Sequence, residues 1–408
     1  MKKFTIPFTY RSSLIGAIKN RRREEDKMKK DFTPTLLDFG PVQIYLARHF
    51  GFCYGVENAI EIAFKTIDEN PGKRIFLLSE MIHNPQVNAD LKERGVQFLQ
   101  DTKGNPIIPF SEITSDDVVI IPAFGTTLAV EKKLKNIGIS TEKYDTTCPF
   151  VEKVWNRSEQ IAAQNYSVVI HGKPSHEETR ATFSHAAANT PSLVINDMKE
   201  AILLSGYISG KLPQDDFYGD FHGRYSTGFN AEKDLMRIGV VNQTTMLASD
   251  TQAIADFLKQ VMIETYDLTE SNIEKHFADT RDTLCYATND NQTAVYGLLE
   301  QKADLAIIVG GYNSSNTSHL VELCEEKLPA YFINSADKLL SLTDIIHFNY
   351  HSQEELQTSY FLPQKNPVRI LLTSGASCPD AVVEKVIEKL VTLHGISFSS
   401  EKIIEAFI

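Results

Sequence analysis

The sequence predicts an α/β protein built from three modules of one plan. Each module carries a small, mostly parallel sheet, and the three are expected to be pseudo-threefold-related around a central cavity. Three observations carry this prediction. Cys53, Cys148 and Cys285 each stand directly ahead of a helical pattern. Each is followed at nearly constant distance by a strand with a polar tip: 30 residues to His83, 28 to His176 and 29 to Ser314. Each tip is followed by a second strand with a small polar end and another helix.

The elements follow in order. After Cys53, "GVENAIEIAFKTIDEN" puts Val56, Ala59, Ile60, Ala63 and Ile67 on one helical face. "KRIFLLSEMIHN" then reads as a strand ending in Glu80, His83 and Asn84. After Cys148, "PFVEKVWNRSEQIAAQ" is helical, with Pro149 just inside its start. "YSVVIHGKPSHEET" is the matching strand and ends in His176, Glu178 and Thr179. After Cys285 come the helical "ATNDNQTAVYGLLEQ" and the strand "ADLAIIVGGYNSSN", which ends in Ser314, Ser315 and Asn316. The second strands are "DVVIIPAFGTT", "RIGVVNQTTM" and "VRILLTSGASCPD". The expected boundaries are an N-terminal extension at 1–42, modules at 43–140, 141–281 and 282–395, and a tail at 396–408. An insert at about 205–235, rich in Gly, Asp and aromatic residues, reads as a surface loop or lid. "RRREEDKMKK" at 21–30 reads as a solvated helix.

Bulk properties narrow the function. The chain has 408 residues, a net charge of −12 and a sequence pI of about 5.5. Neither nucleic acid nor an anionic membrane surface suits such a balance, since both call for a basic face. The longest apolar runs are too short to span a bilayer, and no secretory h-region opens the chain, so a cytoplasmic protein is expected. Five cysteines without a C-x-x-C pair exclude a zinc ribbon or thioredoxin motif and leave catalytic, buried or metal-binding thiols.

In parallel α/β sheets ligands bind outside the carboxyl ends of the strands. Here those ends carry His, Asn, Ser, Thr and Glu. A helix N-terminus directly after each cysteine favours thiolate over thiol. Three thiolates without a matched fourth make an incomplete shell. Either a [4Fe–4S] cluster with one open iron or a zinc ion with a water satisfies it. Cys324, within a helix, reads as a buried structural thiol, and Cys378 breaks the modular position. The tips His83, His176 and "NSSN" read as an anion site able to hold a diphosphate through neutral donors. Glu178, beside bound anions, reads as a general acid.

Taken together, "GFCYGV", "EMIHNPQV", "DTTCPFV", "HEETRAT", "NQTTM", "DTLCYATNDNQ", "NSSNTSHL" and "SGASCPD" resemble the 4-hydroxy-3-methylbut-2-enyl diphosphate reductase family, over about residues 43 to 395. The resemblance implies an oxidoreductase of the non-mevalonate route to isoprenoids. It implies a [4Fe–4S] cluster on Cys53, Cys148 and Cys285, and a diphosphate held by His83, His176, Ser314, Ser315, Asn316 and Ser377. Glu178 would donate the proton, and Thr244 would position the substrate hydroxyl. Reductive dehydroxylation at the open iron would give isopentenyl and dimethylallyl diphosphate. Electrons would come from a ferredoxin- or flavodoxin-like donor, because "GGYNSSN" is not a dinucleotide fingerprint. The extension, the "HEET" spelling and the insert resemble the plant and cyanobacterial branch. One departure stands out: shorter bacterial forms have a histidine where Phe124 stands in "PAFGTT", which leaves Thr126 or Thr127 to line the pocket. Two rivals remain: an iron–sulfur dehydrating synthase of the quinolinate synthase type, and a metal- or cluster-bearing sensor without turnover. The first needs arginines for a dicarboxylate, which the tips lack. The second gives Glu178 nothing to do.

Overall fold

Short apolar runs bounded by turns fold here into small, mostly parallel sheets with helices between the strands. The computed structural model describes residues 4–278 and 283–407. Asp282, the first residue of "DTLCYA", lies outside the described residues. The chain divides into two compact units, Met1–Glu57 with His83–Val87 and Tyr286–Ile408, and Asn58–Ile82 with Asn88–Cys285.

The second unit holds two three-stranded parallel sheets. One runs Gln97–Phe98, Ile75–Leu77, Val118–Ile120 across the sheet, the other Ser192–Ile195, Ser167–His171, Ile238–Asn242. Nearly every one of these strand residues is buried, as expected where helices cover both faces of a sheet. The first unit holds a five-stranded sheet in the order Thr35–Asp38, Val42–Leu46, Val368–Ser374, Leu305–Val309, Ala330–Ile333; only the first pair is antiparallel.

One three-strand order recurs in all three parallel sheets: the strand after the cysteine helix lies between the next strand in sequence and a later one, and the five-stranded sheet adds Thr35–Asp38 and Val42–Leu46 beyond the later strand. Where neighbouring strands are connected in opposite directions, a crevice opens at their carboxyl ends.

Several expectations need correction. Residues 42–46, which open the first module in the sequence reading, pair with Val368–Ser374. The edge strands Gln97–Phe98, Ser192–Ile195 and Ala330–Ile333 are additional, and so is the antiparallel ribbon Asp344–Asn349/Glu354–Ser359. The insert at 205–235 is not a surface loop. Phe217, Phe221 and Phe229 are buried, and Phe217 stacks on Phe229 at 5.3 Å. Val194 N–H donates to the Arg224 carbonyl and Ser226 N–H to the Ser192 carbonyl, so the insert covers an edge of that sheet. The solvated helix expected at 21–30 is Ser13–Glu25 instead: Ser12 caps its start, and Leu14, Ile15 and Ile18 bury one face. It packs against Asp380–Leu393 and Ser400–Phe407, and Lys19 pairs with Asp380 at 2.6 Å. Among the described residues no helix is long and apolar enough to cross a membrane.

Candidate active site

Each of the three cysteines stands immediately before a helix: Tyr54–Glu69, Pro149–Ala163 and Tyr286–Leu299. Cys148 is the N-cap of its helix, with Pro149 in the first helical position, where a missing N–H costs nothing. Its own N–H donates to the Ala123 carbonyl at 2.9 Å, and the Cys285 N–H donates to the Thr244 carbonyl at 3.2 Å. The three are half-buried, whereas Cys324 and Cys378 are buried.

The thiolate expectation needs revision at Cys148. Burial pushes its thiol up to about 12, and Cys285 and Glu178 add to the rise. The backbone N–H groups of Phe150 and Val151 pull the other way and do not prevail. The helix start therefore loses to desolvation unless a cation is bound.

His176 caps the helix Glu177–Ala187, and its Nδ1 accepts from the Glu178 N–H at 3.2 Å. Neutral His176 accordingly carries its proton on Nε2, which makes that nitrogen a donor. Glu178 is almost wholly buried. Its Oε1 accepts from the Thr244 N–H at 2.5 Å and its Oε2 faces the Thr244 hydroxyl at 3.0 Å. That hydroxyl can donate to a carboxylate or accept from a carboxylic acid, so one geometry serves both protonation states. Beneath the pair, Gln243 Oε1 accepts from Thr179 Oγ1 at 2.9 Å and from the Lys173 N–H at 3.1 Å. Phe124 stands edge-on to the His176 ring at 5.5 Å. Thr127 spends its hydroxyl capping Leu128–Ile137, and Thr126 is buried.

In the first unit Ser314 caps Ser315–Glu325, its Oγ accepting from the Thr317 N–H at 3.3 Å. Asn84 does the same ahead of Pro85–Glu93, accepting from the Val87 N–H at 3.1 Å. Ala376 joins two parts of this group: its carbonyl accepts from the Cys53 N–H at 3.2 Å, and its N–H donates to Asn316 Oδ1 at 2.9 Å. The Ser377 hydroxyl donates to the His83 carbonyl at 3.1 Å. That carbonyl also explains Gly311, since a Cβ there would lie 2.2 Å from its oxygen. Gly311→Ala is expected to destabilise the fold by about 1–3 kcal/mol through overpacking, read as a lowered thermal midpoint. An unchanged midpoint would mean that the His83 segment yields freely.

Cys53, His83, Ser314, Ser315, Asn316 and Ser377 thus belong to the first unit, and Cys148, His176, Glu178, Thr244 and Cys285 to the second. Sequence reasoning missed Gln243 and the Ala376 backbone; "NQTT" offered a buried amide as a signal, while a backbone amide leaves none. Among the described residues no three His, Cys, Asp or Glu side chains converge to hold a metal ion.

A family model described as "LytB protein" matches residues 44–391. A Picosynechococcus protein named 4-hydroxy-3-methylbut-2-enyl diphosphate reductase is 42% identical over 382 residues, 93% of this chain and 89% of the relative. A Synechococcus protein of the same name is 39% identical over 94% of this chain and 90% of its own. The solved structure of an (E)-4-hydroxy-3-methyl-but-2-enyl diphosphate reductase, described as the terminal enzyme of the non-mevalonate pathway, aligns with a TM-score of 0.50 at 26% identity, over 85% of this chain and 98% of that one. The Plasmodium falciparum reductase shares the fold, with a TM-score of 0.61 at 22% identity over 86% and 87% of the two chains.

Proposed function

The chain belongs to the LytB protein family, and on that footing we propose how its residues divide the reduction of 4-hydroxy-3-methylbut-2-enyl diphosphate. It is an oxidoreductase of the non-mevalonate pathway. The substrate takes up two electrons and two protons, loses its allylic hydroxyl as water, and becomes isopentenyl or dimethylallyl diphosphate.

Cys53, Cys148 and Cys285 are the ligands of a [4Fe–4S] cluster. Sulfur donors suit it by chemical type, and a cationic group would reverse the protonation that burial imposes on Cys148. When bound, such a cluster supplies electrons singly and one iron free to act as a Lewis acid. His83, His176, Ser314, Ser315, Asn316 and Ser377 hold the diphosphate. The Nε2 proton of His176 fits a ligand that only accepts. Glu178 carries the proton that the leaving hydroxyl takes, and the Thr244 hydroxyl holds the carboxyl before and after the transfer while orienting the substrate oxygen. The single observation that carries this reading is the Glu178–Thr244 pair, buried at the strand ends of the second sheet, with Cys285 and Glu178 near enough to raise the Cys148 thiol. Electrons enter from a ferredoxin- or flavodoxin-like protein. A reducing cytoplasm suits three thiolate ligands.

Anaerobic absorption with iron and sulfide analysis tests the cluster, and turnover with a chemical reductant tests the reaction. A zinc-only protein, or a loaded cluster without turnover, would overturn the reading. His83→Ala, His176→Ala and Asn316→Ala are each expected to weaken inorganic diphosphate and substrate by about one to two orders of magnitude, since a hydrogen bond to a charged group is worth roughly 1.5–3 kcal/mol. The cluster spectrum should stay intact. Unaltered affinity in all three would remove them from the pocket.

A further inference from the structure

We infer that Tyr312 is a positioning residue for the diphosphate loop, and that the ribbon Asp344–Asn349/Glu354–Ser359 is the buttress through which it acts. The inference rests on the reading of Ser314, Ser315 and Asn316 as diphosphate ligands, and it gives the ribbon, which carries none of the site residues, a role in the same reaction.

The loop is a tight turn. The Ser314 N–H donates to the Gly311 carbonyl at 3.0 Å, so Tyr312 sits at the corner of the turn whose last residue caps the following helix. One side of the turn is fixed by Gly311 lying against the His83 carbonyl. The other side is fixed by Tyr312. Its ring stacks on Phe348 with centroids 4.4 Å apart and planes 7° off parallel, and stands edge-on to Phe332 at 5.3 Å. Its hydroxyl donates to Glu355 Oε1 at 2.7 Å, and the same oxygen receives Lys338 at 2.5 Å. Phe348 and Glu355 are directly opposite each other in the ribbon, so ring and hydroxyl grip a single cross-strand pair. Burial, with Glu355 beside it, holds the phenol in its neutral, donating form.

The hairpin turn of the ribbon, directly beyond the Phe348–Glu355 pair, reaches the last turn of the helix that Ser314 caps. His351 Nε2 lies 3.3 Å from Glu325, and Tyr350 bonds Glu322. The ribbon therefore braces the helix at its exit and the loop at its entry. A loop that enters the binding reaction already in its bound shape does not spend affinity on ordering itself. Removing the Tyr312 grip should cost diphosphate affinity without touching the chemistry at Glu178.

The test uses the cluster-loaded enzyme with inorganic diphosphate as the competing probe. Tyr312→Ala should raise KM and the inhibition constant for diphosphate about tenfold, with kcat within about threefold, the mark of lost ground-state binding. Tyr312→Phe keeps the stack and loses the hydroxyl, so it should raise both about threefold, and Glu355→Leu, which leaves the phenol no acceptor, should match it. Because the two act through one bond, the double variant should be no weaker than either single one. Unchanged inhibition constants in all Tyr312 variants, with only the thermal midpoint lowered, would overturn the inference. So would additive losses in the double variant. Asn316→Ala runs alongside. If it also leaves diphosphate affinity unchanged, the ligand reading itself has failed; if it weakens binding while the Tyr312 variants do not, only the buttress has. Should Tyr312→Ala fail to fold, Tyr312→Phe and Glu355→Leu carry the test alone.

Discussion

Glu178→Gln should bind substrate within about threefold of the parent and keep its cluster, yet turn over at least ~10²-fold more slowly, the usual scale for a lost general acid. The amide is the same size as the carboxyl. Its oxygen can still accept from the Thr244 N–H, and its NH₂ can still face the Thr244 hydroxyl, so the helix start keeps its tie to the strand tip. What the amide cannot do is release a proton to a departing hydroxyl. Losses confined to kcat would therefore mark chemistry. Thr244→Ser should retain most activity and Thr244→Ala should not, because the hydroxyl is the part that serves both protonation states. Single-turnover rates from the reduced enzyme separate this step from electron delivery. Turnover of Glu178→Gln within about threefold of the parent would reduce Glu178 to a structural tie.

The parts of the site that could be read from the sequence are those fixed locally. A cysteine before a helix, a histidine or serine at an N-cap and a polar strand tip are all set by a few neighbouring residues. That is why the distances from Cys53, Cys148 and Cys285 to the tips carried the repeat. What could not be read depends on partners distant in sequence. Val42–Leu46 finds its parallel neighbour in Val368–Ser374, and Gln43 and Arg369 are 326 residues apart. Loop closure of that length leaves no periodic trace. Gln97–Phe98 is too short to show any alternation at all. The insert misled for another reason: its glycines and aspartates read as loop, while Phe217, Phe221 and Phe229, spaced at four and eight residues, form a buried stack. The Cys148 thiol shows the same limit in electrostatics. The helix N-terminus is visible in the sequence, but the burial that outweighs it is a property of the packed unit.

That burial bears on what should happen when a ligand sulfur is removed. Cys53→Ser, Cys148→Ser and Cys285→Ser should each lose most of the iron and essentially all activity, whereas Cys324→Ala should keep both. A metal must displace the proton from each donor it binds. At Cys148 that proton is held up to about 12 by burial, so loading of the cluster should improve as pH rises and fail on acidification. A serine hydroxyl releases its proton far less readily than a thiol and offers a hard donor in place of a soft one, so the exchange loses both deprotonation and bond strength. Cys324 is also pushed up to about 12, but it lies wholly buried in the last turn of Ser315–Glu325, where it acts as a small apolar side chain. Its loss should lower the thermal midpoint and nothing else. Cys378, buried with its Sγ 3.7 Å from the Pro379 carbonyl, should behave in the same way. Anaerobic iron and sulfide counts on the five variants, normalised to folded protein, decide the matter. Iron loss in Cys324→Ala equal to that in the serine variants would overturn the three-ligand assignment, because it would show that the counts follow damage to the fold and not ligation.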